Sequence, residues 1–311
     1  MREPVAQPDV SPRKGASDAE SASWPMAGEP TQHALMLFCG RLFARPLPRF
    51  AFAVLILVLL GALFAPHISP YDPIKPDFAA ARQAPSADHP LGTDDIGRDV
   101  LSRILYGARV SLLAALIPLS ISISIGVPLG LISGLLKGWT DDIIMRVLDA
   151  LLAFPRIVLI IAIAGILGPS LLNALIAIGV VGVAPLARLT RGLTLSASQE
   201  DYVLAARALG SSNWRIMMSH ILPNITAAII VTVSLDIGGI ILAEATLSFL
   251  GLGIQPPNPS WGSMVAVGNR YIQTAPWISL VPGTAIFLTV MSVNLLGDGL
   301  RDAMDPYLRN R

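Results

Sequence analysis

Asp149, Arg156, Asp236 and Glu244 interrupt long runs of aliphatic residues, and their placement makes them the side chains most able to do chemistry. An ionised group in hydrocarbon is costly unless it pairs or faces water. Such residues therefore mark either a polar path for a solute or ion, or salt bridges and positions near a membrane surface, and the second reading is preferred. Asp149 and Arg156 stand seven residues apart, roughly 10 Å along a helix, which strains direct pairing within one helix. Their partners are expected on other helices. Catalytic chemistry finds no support. His33, His67, His89 and His220 lack metal-ligand spacing, Cys39 is the single cysteine, and no arrangement of Ser, His and Asp suggests a nucleophile. Without a Gly-x-x-x-x-Gly-Lys-Ser/Thr loop, no ATP site is expected. The expectation is a non-catalytic chain with no metal and no cofactor of its own.

The elements that must position these residues are membrane spans. Of 311 residues, 53% are hydrophobic and only 14% charged, against about a quarter charged in a soluble domain. A net charge of +1 gives no basic face for nucleic acid. A helix needs about 20 apolar residues to cross the hydrocarbon core, and the hydropathy pattern predicts an all-α membrane protein with spans near 49–67, 110–136, 144–167, 170–188, 222–249 and 277–298. Gly126, Gly130 and Gly134, spaced by four, suit close approach of a second helix backbone, although glycine is also simply common in membrane helices. Gly165 to Ser170 supplies a reversal, and the proline-rich stretch Gly251 to Gly262 predicts an external loop. Trp261, Tyr271 and Trp277 suit the membrane interface.

Residues 1–34 read as a disordered cytoplasmic tail, because they lack the apolar core of a signal peptide and are rich in Pro, Ser, Ala and Glu. The stretch Leu35 to Ala44 is expected to lie along the lipid interface. Arg41, Arg45 and Arg49 before the first span place the N-terminus in the cytoplasm, and six crossings return the C-terminal segment, 301–311, to the same side. Lys75, Arg82, Arg98, Arg103 and Arg109, between the first two spans, run against this bias.

Two polar segments stand between the spans. In the segment 89–109, Thr93 is placed to cap a helix, Asp94 and Asp95 suit its positive end, and Ile96, Val100, Leu101, Ile104 and Leu105 form an apolar stripe. The expectation is an amphipathic helix on the outer face. In the segment 200–224, Tyr202, Ala205, Ala206 and Leu209 belong to a short helix with a small, closely packing surface that Gly210 would end or bend. Trp214 and Ile216 are expected to anchor the return to the membrane, and Leu222 and Pro223 to open the fifth span, where a missing amide is tolerated.

Leu204-Ala205-Ala206, Gly210 and Leu222-Pro223 hold the spacing of the cytoplasmic signature of bacterial ABC importer permeases, which runs Glu-Ala-Ala, three residues, Gly, nine residues, Ile-x-Leu-Pro. Leu204 stands where the Glu is expected and His220 where the Ile is expected. His89 to Arg109, Glu244 to Gly253, Asn294 to Pro306 and the Tyr71-Asp72-Pro73 turn resemble the subfamily of dipeptide, oligopeptide and nickel permeases. This resemblance runs from about residue 40 to the end. It implies a type I ABC importer transmembrane domain over 110–300, preceded by an N-terminal permease segment at 35–88, with 200–224 as the coupling loop. It implies a homologous second permease, two ATP-binding subunits that carry ATP and Mg, and an extracytoplasmic solute-binding protein. Peptides are the expected cargo, with nickel, glutathione and other small solutes as competitors, across a bacterial cytoplasmic membrane. The alternative from the charges alone is an ion-coupled transporter or channel using Asp149, Arg156, Asp236 and Glu244 as a relay.

Overall fold

The computed structural model describes Phe43 and residues 46–304. The expected tail, the interfacial stretch before Phe43 and the segment after Met304 lie outside the described residues. Among the described residues the regular elements are helical, joined by an isolated bridge between Thr93 and Asp99.

The first span, α1, is Pro46–Ile68. It presents Leu57, Leu63 and Phe64 outward, as a helix in contact with lipid should. After a 3₁₀ turn at Phe78–Ala80, helix α2 runs from Val100 to Leu136. Its 37 residues extend about 55 Å at 1.5 Å per residue, well beyond the roughly 30 Å hydrocarbon thickness. The outer segment is thus partly continuous with the second span. Thr93 is not its cap. Residues 93–99 form a tight turn around Asp94, whose carboxylate accepts from the backbone N–H of Ile96 and Arg98. The helix starts later because Asp99 caps it, accepting from Ser102 N–H at 2.8 Å.

The predicted third span is broken. Helix α3, Gly138–Leu152, and helix α4, Arg156–Leu167, meet at 90°. Pro155 explains the bend, because it lacks an amide donor and drives Phe154 out of the helical region. Asp149 and Arg156 therefore do not share a helical face. Helix α5, Leu171–Ala197, continues nine residues past the predicted end at 188, because Arg188 and Arg191 find acidic partners on α3.

Helix α6, Asp201–Ala208, precedes a continuous helix, α7, at Asn213–Phe249, that includes a π-turn over Ile216–Ile221. There Leu222 N–H reaches back to Met217 O. Pro223 follows at once; it cannot donate to Ser219 O, and the wider turn accommodates its ring. The fifth span thus starts about two turns before the predicted boundary. Helices α8, Trp261–Asn269, and α9, Trp277–Met304, complete the chain. Five helices are long and apolar enough to cross a membrane, or six crossings if the bent α3–α4 pair is counted as one.

Trp261 does not belong to a lipid-facing belt. Trp261 is buried and donates its indole N–H to Ile104 O at 3.0 Å, and Trp277 donates to Thr93 O at 3.1 Å. Both indoles pin the outer segment onto α8 and α9. Replacing Trp261 with Phe leaves the Ile104 carbonyl without this donor, and detergent melting of the purified chain is expected to show a loss of about 1 kcal/mol.

The central packing is between α2 and α5. A methyl group on Gly130 would come within 2.6 Å of Thr190 Cβ, and one on Gly134 within 2.7 Å of Thr194 Cβ. The glycine stripe is a contact between backbones, and Ser122 Oγ donates across it to Gly179 O at 2.9 Å. Thr190 and Thr194 satisfy their hydroxyls on carbonyls one turn back, so the seam holds no orphaned donor where water is scarce.

Candidate functional site

Two arrangements can do work: an elbow between α5 and α7, and a cavity within the bundle.

The elbow begins at α6, where Asp201 stands at the positive end and Arg207 in the last turn, each matched to the helix dipole. Val203 and Ala206 are buried in a cluster with Leu131 and Leu135 of α2 and Ile216, Met217 and Ile221 of α7. This apolar underside fixes the elbow to two spans at once. Ala206 therefore packs within the chain, while Tyr202, Leu204, Ala205 and Leu209 face outward. The helix ends in a Schellman turn: Ser211 N–H bonds Ala206 O, Gly210 N–H bonds Arg207 O, and Gly210 adopts φ +80°. Ser212 then accepts from Arg215 N–H and starts α7. Ile216 is buried, whereas Trp214 is 67% exposed and Leu209 is 87% exposed. Anchoring of the return falls to Ile216, and Trp214 joins the outward apolar set. Leu222 and Pro223 lie one helical turn or more beyond, in the first turn after the π segment.

Asp149 and Arg156 find their partners on other helices, as expected. Arg156, at the start of α4, makes a two-pronged contact with Asp236 in α7, Nη1 to Oδ1 at 2.9 Å and Nη2 to Oδ2 at 3.2 Å. Asp149 pairs with Arg188 of α5. Glu244 is buried and accepts from Ser248 Oγ at 2.6 Å on its own helix. With three separate sets of partners, the four charges do not form a single relay. The sequence reading missed a third pair, in which Arg191 grips Asp141 through two bonds of 2.6 Å while Ser133 donates to the same carboxylate. Its signal was present in Arg191, one turn beyond Arg188 and still within the run of α5.

The Arg156–Asp236 pair opens onto a cavity of about 320 Å³ formed by α2, α4, α5 and α7, with Ser122, Pro185, Thr232 and Leu235 among its walls. A second cavity of about 440 Å³ lies in the outer segment beside Tyr71, Asp72, Lys75, His89 and Asp99. There Asp99 meets His89 Nδ1 at 3.0 Å and Tyr71 stacks on the His89 ring.

A helical bundle of five or six spans, with a short polar-capped elbow between two of them and a charged cavity inside, defines a multi-pass membrane transport subunit. The sequence matches the family described as the binding-protein-dependent transport system inner membrane component over residues 126–310, and the N-terminal domain of oligopeptide transport permease C over residues 35–85. The chain belongs to this family of ABC importer permeases. It is 46% identical to a dipeptide transport permease of Alkalihalophilus pseudofirmus over 81% of this chain and 83% of the relative. It is 43% identical to a glutathione transport permease of Pectobacterium atrosepticum, covering 87% and 90% of the two chains. A probable D,D-dipeptide transport permease of Escherichia coli is 45% identical over 84% and 88%.

Proposed function

We propose that this chain is one of two homologous permeases of an ATP-driven importer for short peptides in the bacterial cytoplasmic membrane. The observation that carries the reading is the elbow over residues 201–215, where Tyr202, Leu204, Leu209 and Trp214 face outward from a helix pair fixed to the bundle by Val203, Ala206 and Ile216. Exposed apolar groups on a helix pair fixed to the bundle suit the groove of a soluble motor. Two ATP-binding subunits sit beneath, each using ATP and Mg, and an extracytoplasmic binding protein delivers solute. Both termini lie in the cytoplasm, in line with the arginines before α1 and at the inner end of α5. Relatives named for dipeptides and glutathione support a small peptide cargo.

In this mechanism closure of the motors on ATP displaces the elbow, and α7 carries the motion inward as a rigid body. Trp214 and Asp236 lie on this same helix, roughly 33 Å apart at 1.5 Å per residue. Purification of the native complex in mild detergent should recover a second permease and ATP-hydrolysing subunits. Recovery of the chain alone across several detergents, with transport that survives ATP depletion and collapses with the ion gradient, would replace the importer with an ion-coupled transporter. Leu209→Asp is the sharper test of the docking face. Leu209 is nearly free of contacts with its own chain, so the variant should melt with the native protein yet lose about tenfold in ATPase co-purification, as expected for an apolar anchor lost from an interface.

A further inference from the structure

The cavity beside Arg156 and Asp236 has the form of a binding site more than of a structural clasp. Its walls are largely apolar and it lies at mid-length of α5, where Gly182 and Pro185 line it. At about 320 Å³ it falls within the roughly 300–1,000 Å³ of small-molecule pockets. The single formal positive and single formal negative group in its lining are paired with each other. Their side chains nevertheless stay 42% and 34% exposed, so the pair is presented to the space and not sealed between helices. Gly239, one turn from Asp236, stands beside the pair: a methyl group there would be in ordinary contact, 3.5 Å from Asp236 Oδ1 and 3.9 Å from Arg156 Nη1.

We propose that Arg156 and Asp236 form a solute site for short zwitterions, Arg156 taking a carboxylate and Asp236 an ammonium; this rests on the peptide-importer reading. The electrostatics favour that class over others. In a low-dielectric cavity an unpaired charge is costly, and a solute with one charge of each sign exchanges one ion pair for two without leaving a charge alone. A purely anionic or cationic solute would strand Asp236 or Arg156. In a dipeptide the two charged ends are separated by about two residues of chain, roughly 7 Å when extended, so the two side chains part as the solute enters between them. Ser122 and Thr232 hydroxyls already donate to Gly179 O and Ala228 O, which leaves their oxygens as acceptors for a peptide N–H. When the solute leaves, the pair closes again, and the cavity is never left with unmatched charge.

The test uses the whole complex in proteoliposomes with its binding protein, radiolabelled Ala-Ala as the probe, and uptake per ATP hydrolysed as the readout. Accumulation by the native complex is required by the importer reading, and its absence overturns that reading and the site together. Given native uptake, Arg156→Gln and Asp236→Asn are each expected to lower uptake per ATP by about tenfold or more, the effect of losing one charged contact. If either variant keeps native uptake per ATP, the site is overturned while the importer reading stands. Gly239→Leu keeps both charges and sets a bulky side chain against them, so it tests the site even where the charge variants fail to assemble. It should lower uptake per ATP to the same degree, and native transport by this variant would equally overturn the site.

Discussion

Gly210→Val should insert into the membrane yet lose ATP-driven uptake. Gly210 adopts φ +80°, and a methyl group at this position would meet nothing within 4 Å. The penalty is therefore conformational, about 1–2 kcal/mol for an L-residue in the left-handed region and more for a β-branched one. That cost is small beside the stability of the bundle but large for one turn held by two hydrogen bonds, Ser211 to Ala206 and Gly210 to Arg207. The turn is the cheapest element to rearrange, and its rearrangement redirects Leu209 and Trp214 together. Asn tolerates the left-handed conformation better than other side chains, so Gly210→Asn should retain much of the uptake. Uptake by reconstituted vesicles, measured beside ATP hydrolysis, separates the cases. Normal transport by the valine variant would remove the elbow from the coupling path.

The sequence exposed the parts of this fold that depend on local rules. The apolar runs of α1, α5, α7 and α9, the glycine spacing on α2 and the Gly210 stop all follow from periodicity, close-packing geometry or backbone freedom, and each has its counterpart in the structure. What was not legible depended on tertiary partners. Pro155 breaks the third span, but hydropathy sums over 144–167 do not register a 90° bend. Thr93 looked like a helix cap because it precedes Asp94 and Asp95, whereas Asp94 is committed to a turn and to the Arg98 side chain. Trp261 and Trp277 carried an interfacial composition signal, but their N–H groups are used inside the protein. In the elbow the spacing located Gly210 and the short helix. It could not separate the buried Val203 and Ala206 from the exposed Tyr202, Leu204 and Leu209, because that division is set by α2 and α7. The same limit applied to the charges: that Arg156 faces Asp236 and Asp149 faces Arg188 required the helices to be placed.

Gly130→Leu is expected to be the most destabilising substitution in the chain's central seam. Helices in lipid gain little from excluding water, so their association depends on backbone approach and packing. At Gly130 the atoms a methyl group would meet include the Ala187 carbonyl oxygen at 2.5 Å and the Arg191 nitrogen at 2.9 Å. These are backbone atoms, and no rotamer change can move them away. The two helices must separate, and separation at this level pulls Arg191 from Asp141 and disturbs the Ser133 contact that joins α2 to α3. Overpacking of this kind costs about 1–3 kcal/mol and sometimes more, and loosening the Arg191 clamp adds to it. Gly192, on the facing helix α5, is the control, since a methyl group there meets nothing within 4 Å. Thermal melting of the detergent-solubilised chain should show Gly130→Leu clearly below the native protein and Gly192→Leu alongside it. Equal melting of both with the native protein would mean that α2 and α5 are not held by the glycine seam, and the two spans would then be free to part during transport without an energetic barrier at this contact.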